Sequence, residues 1–175
     1  MKKVSFLAMV LAVSVFGGNL SFESGTIQAH TEMVADKTID PFTKKATSHL
    51  SMETNPLTLK GTIEVSLGDL MSDNKKRDEH MQETLESLSF PKAVFDIKEV
   101  VAKGGDHYTL KGTMSLHGVS KSMSFEGTVA QESNTVHIKV ASALKMTEFG
   151  IQQPSMMFLK VRDQVDLSVD ILLKR

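Results

Sequence analysis

The chain predicts an antiparallel β-barrel of about eight strands with a single helix. Three observations carry that expectation. First, apolar and polar residues alternate in Leu59 to Leu67, Ala93 to Val101, Tyr108 to Leu116, Met123 to Val129, Val136 to Met146 and Val165 to Leu173. In the third of these, Tyr108, Leu110, Met114 and Leu116 point one way, and Thr109, Lys111, Thr113 and Ser115 the other. Period 2 means a strand with one dry and one wet face. Second, the connections are short turn signals, which join antiparallel neighbours. Third, one stretch alone carries helical spacing. Many half-dry strands with one helix describe a sheet curled around a single apolar interior. That interior is either a packed core or a pocket for an apolar ligand.

The N-terminus reads as a secretory signal. Met1-Lys2-Lys3 is a positive start, and Val4 to Phe16 is an apolar run too short to span a bilayer comfortably. Val15-Phe16-Gly17 suits a cleavage site. Residues 1–17 are therefore expected to be removed on export, leaving 18–175 as one barrel domain in the periplasm. The alternative is an uncleaved anchor or a buried first strand. No Cys follows the apolar run, which argues against a lipid anchor. No later stretch approaches the length of a membrane helix, so stable membrane insertion is not expected.

Leu20 to Met33 is read as the first strand, with Gly25 as a bend. Asp40-Pro41-Phe42-Thr43 is a turn, because Pro fixes its own dihedral and Asp bonds the turn backbone. Ala46 to Glu53 is the second strand, broken by Asn55-Pro56, and Leu59 to Leu67 the third. A helix is expected over Asp73 to Leu88, with Ser72 or Asp73 as N-cap. Met81, Leu85 and Leu88, at i, i+4 and i+7, give it one apolar stripe. Pro91 ends it. Gly104-Gly105-Asp106, His117-Gly118 and Glu132-Ser133-Asn134 then join successive strands, with Gly118 at positive φ. Phe149 to Lys160 is irregular, and the last strand runs from about Gln164 to Leu173. Gly61 and Gly112 both fall on the apolar face. They either let a strand coil tightly or open space inside the barrel.

Composition limits the chemistry. The net charge is −1, and no basic patch with interleaved aromatics points to nucleic acid. There is no Cys, hence no disulfide, thiolate nucleophile or zinc–thiolate site. The six His residues show no H-x-x-x-H pair, so no metal site is assigned. No nucleophile elbow or phosphate loop occurs, and neither enzyme nor cofactor is expected. The remaining polar cluster is Arg77-Asp78-Glu79-His80-Met81. Either its Arg77 and His80 meet an anionic head group of a ligand at a barrel mouth, or its Arg77 and Asp78 pin the helix to a neighbouring strand. Lys121 is the third head-group candidate.

Taken together, several strings resemble the YceI family of bacterial lipocalin-like proteins. They are Arg77-Asp78-Glu79-His80-Met81, Phe90-Pro91-Lys92-Ala93-Val94-Phe95, Leu116-His117-Gly118-Val119-Ser120-Lys121, Glu148-Phe149-Gly150-Ile151 and Val165-Asp166-Leu167-Ser168-Val169. The resemblance covers Leu59 to Lys174; the N-terminal strands depart from the family pattern. It implies an eight-stranded lipocalin-like barrel that is exported and holds a polyisoprenoid, an isoprenoid quinone or another long-chain lipid. The pocket is then expected to be lined by Ile63, Val65, Phe95, Tyr108, Leu110, Met114, Leu116, Phe125, Val140, Leu144, Val165, Leu167 and Val169, the apolar phase of each strand. Each buried CH₂ contributes about 0.8 kcal/mol and association costs about 4 to 15 kcal/mol, so several isoprene units are needed to hold such a ligand. Two rivals stand beside this reading: a barrel enzyme using His80 or His117, and a stress or structural protein with a filled core. The sequence leaves open whether the protein works alone or as a homodimer.

Overall fold

A computed structural model describes residues 18–33, 37–156 and 159–175. The expected leader, residues 1–17, and the Met157-Phe158 pair lie outside the described residues. The elements run β1 (Gly18–Met33), β2 (Lys37–Ile39), β3 (Phe42–Thr43), β4 (Thr47–Met52), β5 (Lys60–Ser66), α1 (Lys75–Thr84), β6 (Lys92–Gly104), β7 (His107–Leu116), β8 (Val119–Glu132), β9 (Thr135–Lys145), β10 (Ser155–Met156), β11 (Leu159–Lys160) and β12 (Gln164–Lys174). Three 3-10 turns, Pro56–Thr58, Leu67–Asp69 and Met146–Phe149, complete the path.

The long strands close into a barrel in the order β1-β4-β5-β6-β7-β8-β9-β12, with β12 returning to β1, and every pairing is antiparallel. Closure rests on β1, which pairs over Gly18–Leu20 with β4 and over Ser21–His30 with β12. Alternation along each strand decides the inner face. On β12, Ile171 and Leu173 are buried while Asp170 and Ser168 face outward among polar neighbours.

The turns follow their residues. His117 (φ 51°) and Gly118 (φ 72°) form a two-residue turn between the paired Leu116 and Val119. Positive φ at both central residues is the turn whose twist matches a β-hairpin. Asn55 caps the first 3-10 turn through its side chain, with Pro56 in its first positions, so the expected break becomes an ordered crossing of the barrel end.

Several expectations are corrected. The helix is shorter than Asp73 to Leu88, and its N-cap is Asn74, whose side chain accepts from the Arg77 N–H at 3.2 Å. Asp78 instead accepts from both the backbone and hydroxyl of Ser72, at 2.9 and 2.6 Å, fastening the approach to the helix. The helix stops because Glu86 turns left-handed (φ 46°), and the chain must then bring Phe90 back to the barrel. Leu88 therefore leaves the apolar stripe and is fully exposed. Phe42–Thr43, read as turn, is a short strand against Ile27 and Gln28. Gly61 and Gly112 do not open room in the bore. A Cβ on Gly61 (φ 108°) would lie 2.3 Å from the His49 carbonyl oxygen, and one on Gly112 2.1 Å from that of Asp96. Both mark tight coiling of one strand against the next.

Candidate functional site

The apolar phases of the strands do not fill the barrel. A cavity of about 760 Å³ occupies the half nearer α1. Its wall is a ring of inward side chains: Ile63 and Val65 from β5, Phe95 from β6, Leu110, Met114 and Leu116 from β7, Phe125 from β8, Val140 and Leu144 from β9, and Val165, Leu167 and Val169 from β12. These twelve are brought together as their alternation predicted. Phe95 and Phe125 meet over β7 with ring centroids 4.7 Å apart and planes tilted by 59°.

Tyr108 is the exception among the proposed lining. It lies on the correct face and packs against the core, but it does not line the cavity. It pairs with Gly127 and Ala102, close to the β6–β7 turn and away from the helix. Its face was right and its depth wrong.

Sequence reasoning also missed much of the wall. Ile97, Ile138 and Ile171 share the phase of Phe95, Val140 and Val169, so extending each strand would have found them. Ile151, Val161, Leu67 and Leu70 sit on connections, where no periodicity points inward. Ile27, Ala29, Thr31 and Met33 come from β1, whose alternation is the least regular in the sequence. The Thr31 hydroxyl is spoken for, lying 3.1 and 3.0 Å from the carbonyls of Arg162 and Gln164.

Most of the polar lining gathers on one element, with Gln28, Thr31 and Ser155 elsewhere on the wall. Lys76, Arg77, His80, Glu83 and Thr84 of α1, with Asn74 at its cap, line the cavity beside Met81 and Leu85. No residue of α1 is buried. A helix lying on a filled barrel would bury its apolar stripe; Met81 and Leu85 are only half-buried because they border the cavity. The helix is held at its edges, by Gln82 donating to the Gly68 carbonyl at 3.2 Å and by the Ser72–Asp78 bonds.

The three head-group candidates separate. Arg77 and His80 both reach the cavity. Arg77 is paired with Asp73 at 3.4 Å, and His80 with Glu83 at 3.3 Å in a well-exposed contact. Exposed pairs of this kind contribute little and are readily exchanged for another partner. Lys121 does not line the cavity. It shares the inward phase of Phe125 and pairs with Met114 beside the β7–β8 turn, where its Nζ sits 3.8 Å from Glu148. Lys121 thus stands at the barrel rim in an ion pair, outside the cavity lining.

Near the same end, on the outer face, His30 Nδ1 donates to Asp40 at 2.5 Å and Nε2 lies 3.3 Å from Glu32. The hydrogen bond to Asp40 is the main reason that the His30 imidazole is raised above its usual 6.5, against the lowering effect of partial burial. The same bond holds the Asp40 carboxyl below 3.8, with Arg77 adding a favourable field. Among the described residues no group of three His, Asp or Glu side chains could hold a metal ion.

Comparison with known proteins agrees with this geometry. The model of the YceI-like domain family matches residues 4–173. UPF0312 proteins of Yersinia pestis (strain Pestoides F) and Yersinia pseudotuberculosis serotype O:3 (strain YPIII) are each 29% identical over 82 residues, 46% of this chain and 42% of theirs. The matched stretch thus spans less than half the length of those curated relatives. Among solved structures, BcnA of Burkholderia cenocepacia superposes with a TM-score of 0.74 at 15% identity, covering 85% of this chain and 95% of that one. A polyisoprenoid binding domain from Saccharophagus degradans gives 0.69 at 9% identity, covering 89% and 98%. The YCEI protein of Campylobacter jejuni gives 0.57 at 14% identity, covering 99% and 93%. At such identities the likeness shows the fold: an eight-stranded lipocalin-like barrel.

Proposed function

The chain belongs to the YceI-like domain family, and from that premise we propose that it is a periplasmic carrier that holds a polyisoprenoid or related long-chain lipid tail-first in its barrel. The observation that carries this reading is the cavity itself: about 760 Å³ with a wall dominated by Val, Leu, Ile, Met and Phe, and with all its charged groups on α1. Pockets for small ligands are usually of this size and are dominantly apolar, with a few polar groups that fix orientation. A wall this poor in hydrogen-bonding partners favours a long hydrocarbon over a compact polar molecule. The solved barrel from Saccharophagus degradans described as polyisoprenoid-binding supports the same class.

The head group remains at the α1 end, where Lys76, Arg77 and His80 meet its oxygen atoms. Export is supported by the charged start and apolar run of residues 1–17. The enzyme rival is disfavoured by what its two histidines touch. His80 is paired with Glu83 at the surface, and His117 is bonded to the Phe149 carbonyl and stacked on Phe90. The filled-core rival is disfavoured by the cavity.

The test is mass spectrometry of an organic extract of the full chain purified from its periplasmic fraction without detergent. Recovery of a prenyl or other long-chain lipid in near-stoichiometric amount is expected. A clean extract, with no uptake of added prenyl lipid, would refute the carrier reading.

A further inference from the structure

The bore is open at one end and stoppered at the other. The cavity bottoms on a tier formed by Leu50, Ile97, Leu110, Ile138 and Ile171, all buried and all lining it. Beyond that tier the barrel is solid. Leu20, Met52, Leu59, Val129, Val136 and Leu173 are each 2% exposed or less, and none lines the cavity. The 3-10 turn Pro56–Thr58 crosses this end against β4, β6 and β8, and delivers Leu59 into the stopper. The Arg175 side chain ties the same end shut, donating to the Glu53 carbonyl at 2.7 Å. The helical end, by contrast, is covered by an element with no buried residue.

We infer that the stopper makes this barrel a length-limited site, taking an apolar tail of about five isoprene units and leaving any further length outside the mouth. In a condensed phase a methylene-sized group takes about the 30 Å³ share of a water molecule, so a cavity of ≈ 760 Å³ accommodates roughly 25 heavy atoms. The end of the tail meets the Leu110 and Ile138 tier, and close packing below gives it no continuation. Specificity for length thus resides in the floor, while the wall tolerates any slender chain. This inference rests on the proposed tail-binding function.

The experiment is a displacement series on the full mature chain. A fluorescent geranyl probe is competed with prenyl alcohols of two, three, four, five, seven and nine units, delivered on cyclodextrin. Affinity is expected to rise by at least about tenfold per unit up to four units, each unit burying several more CH₂ groups, and then to level off between five and nine. A rise that continues undiminished to nine units overturns the length limit while leaving tail binding intact. Failure of every alcohol to displace the probe, or of the probe to bind, overturns tail binding and the length limit together. Leu110→Ala with Ile138→Ala removes six carbons from the floor, about one isoprene unit. In that double variant, checked for folding by circular dichroism, the plateau is expected to move out by one unit. A folded variant with an unmoved plateau overturns the role of the tier. The wild-type series decides the length limit even if the variant does not fold.

Discussion

His117 donates from Nδ1 to the carbonyl of Phe149 at 3.2 Å, across a gap of 32 residues in sequence. Its ring also lies 4.4 Å from that of Phe90, tilted by 51°. One side chain therefore fastens three connections at the helical end of the barrel: the β7–β8 hairpin, the return from α1 into β6, and the path from β9 towards β12. Its left-handed backbone leaves room for Gly118, where a Cβ would sit 2.9 Å from the Phe90 ring. The Leu116-His117-Gly118-Val119 string thus has an architectural role at this end of the barrel.

Replacing His117 by Ala is expected to destabilise the fold by about 1–3 kcal/mol, the usual consequence of losing a buried hydrogen-bonding group. A urea titration measures it. Prenyl-lipid affinity of the folded variant should match wild type, because His117 does not line the cavity. Unchanged stability with lost binding would reverse this assignment.

The His30–Asp40 pair predicts a stability maximum in mildly acidic solution. His30 is raised, so its contribution is complete below 6.5 and is lost as pH climbs through the raised value. Asp40 is lowered, so its contribution is complete above 3.8 and is lost as pH falls through the lowered value. Both side chains are partly exposed, so the effect is modest and weakened by salt. Urea midpoints across the pH range should show it, and Asp40→Asn should flatten both limbs. A variant with the wild-type pH profile would exclude the pair as its source.

Val169 sits mid-wall, paired with Ile27 on one side and Val140 on the other. Val169→Trp is expected to fill the bore and weaken prenyl binding by at least about tenfold, since several buried CH₂ contacts are displaced. The far-UV spectrum should be retained. Binding of wild-type strength in the folded variant would place the ligand elsewhere.

Gly112→Ala should act differently. Its Cβ meets the Asp96 backbone rather than cavity space. The expected outcome is a destabilisation of about 1–3 kcal/mol from overpacking, read from thermal or urea unfolding. A stable variant with blocked binding would restore the idea that this glycine opens the pocket.

N-terminal sequencing of the periplasmic fraction is expected to begin near Gly18, the residue at which β1 starts. A mature protein still beginning at Met1 would refute export with cleavage.

The barrel was legible because alternation is a local property. Leu110, Met114 and Leu116 must share a face whatever their neighbours, since successive strand side chains point oppositely. The two-residue turn at His117-Gly118 was legible because few residues accept its backbone. The extent of α1 was not, because Leu88 continues the helical spacing, yet tertiary contacts send the chain back to Phe90 and Pro91.

What the sequence by itself determined was therefore the face each side chain takes, the hairpin order and the one amphipathic helix. Tertiary structure decided depth. Tyr108 and Leu110 are two residues apart on one face, yet only Leu110 lines the cavity. Whether Gly61 and Gly112 make room or fill it was likewise settled by backbone crowding from His49 and Asp96. The line between stopper and cavity follows from strand stagger, barrel closure and the crossing of Pro56–Thr58. Those depend on contacts between residues far apart in sequence, which no single strand encodes.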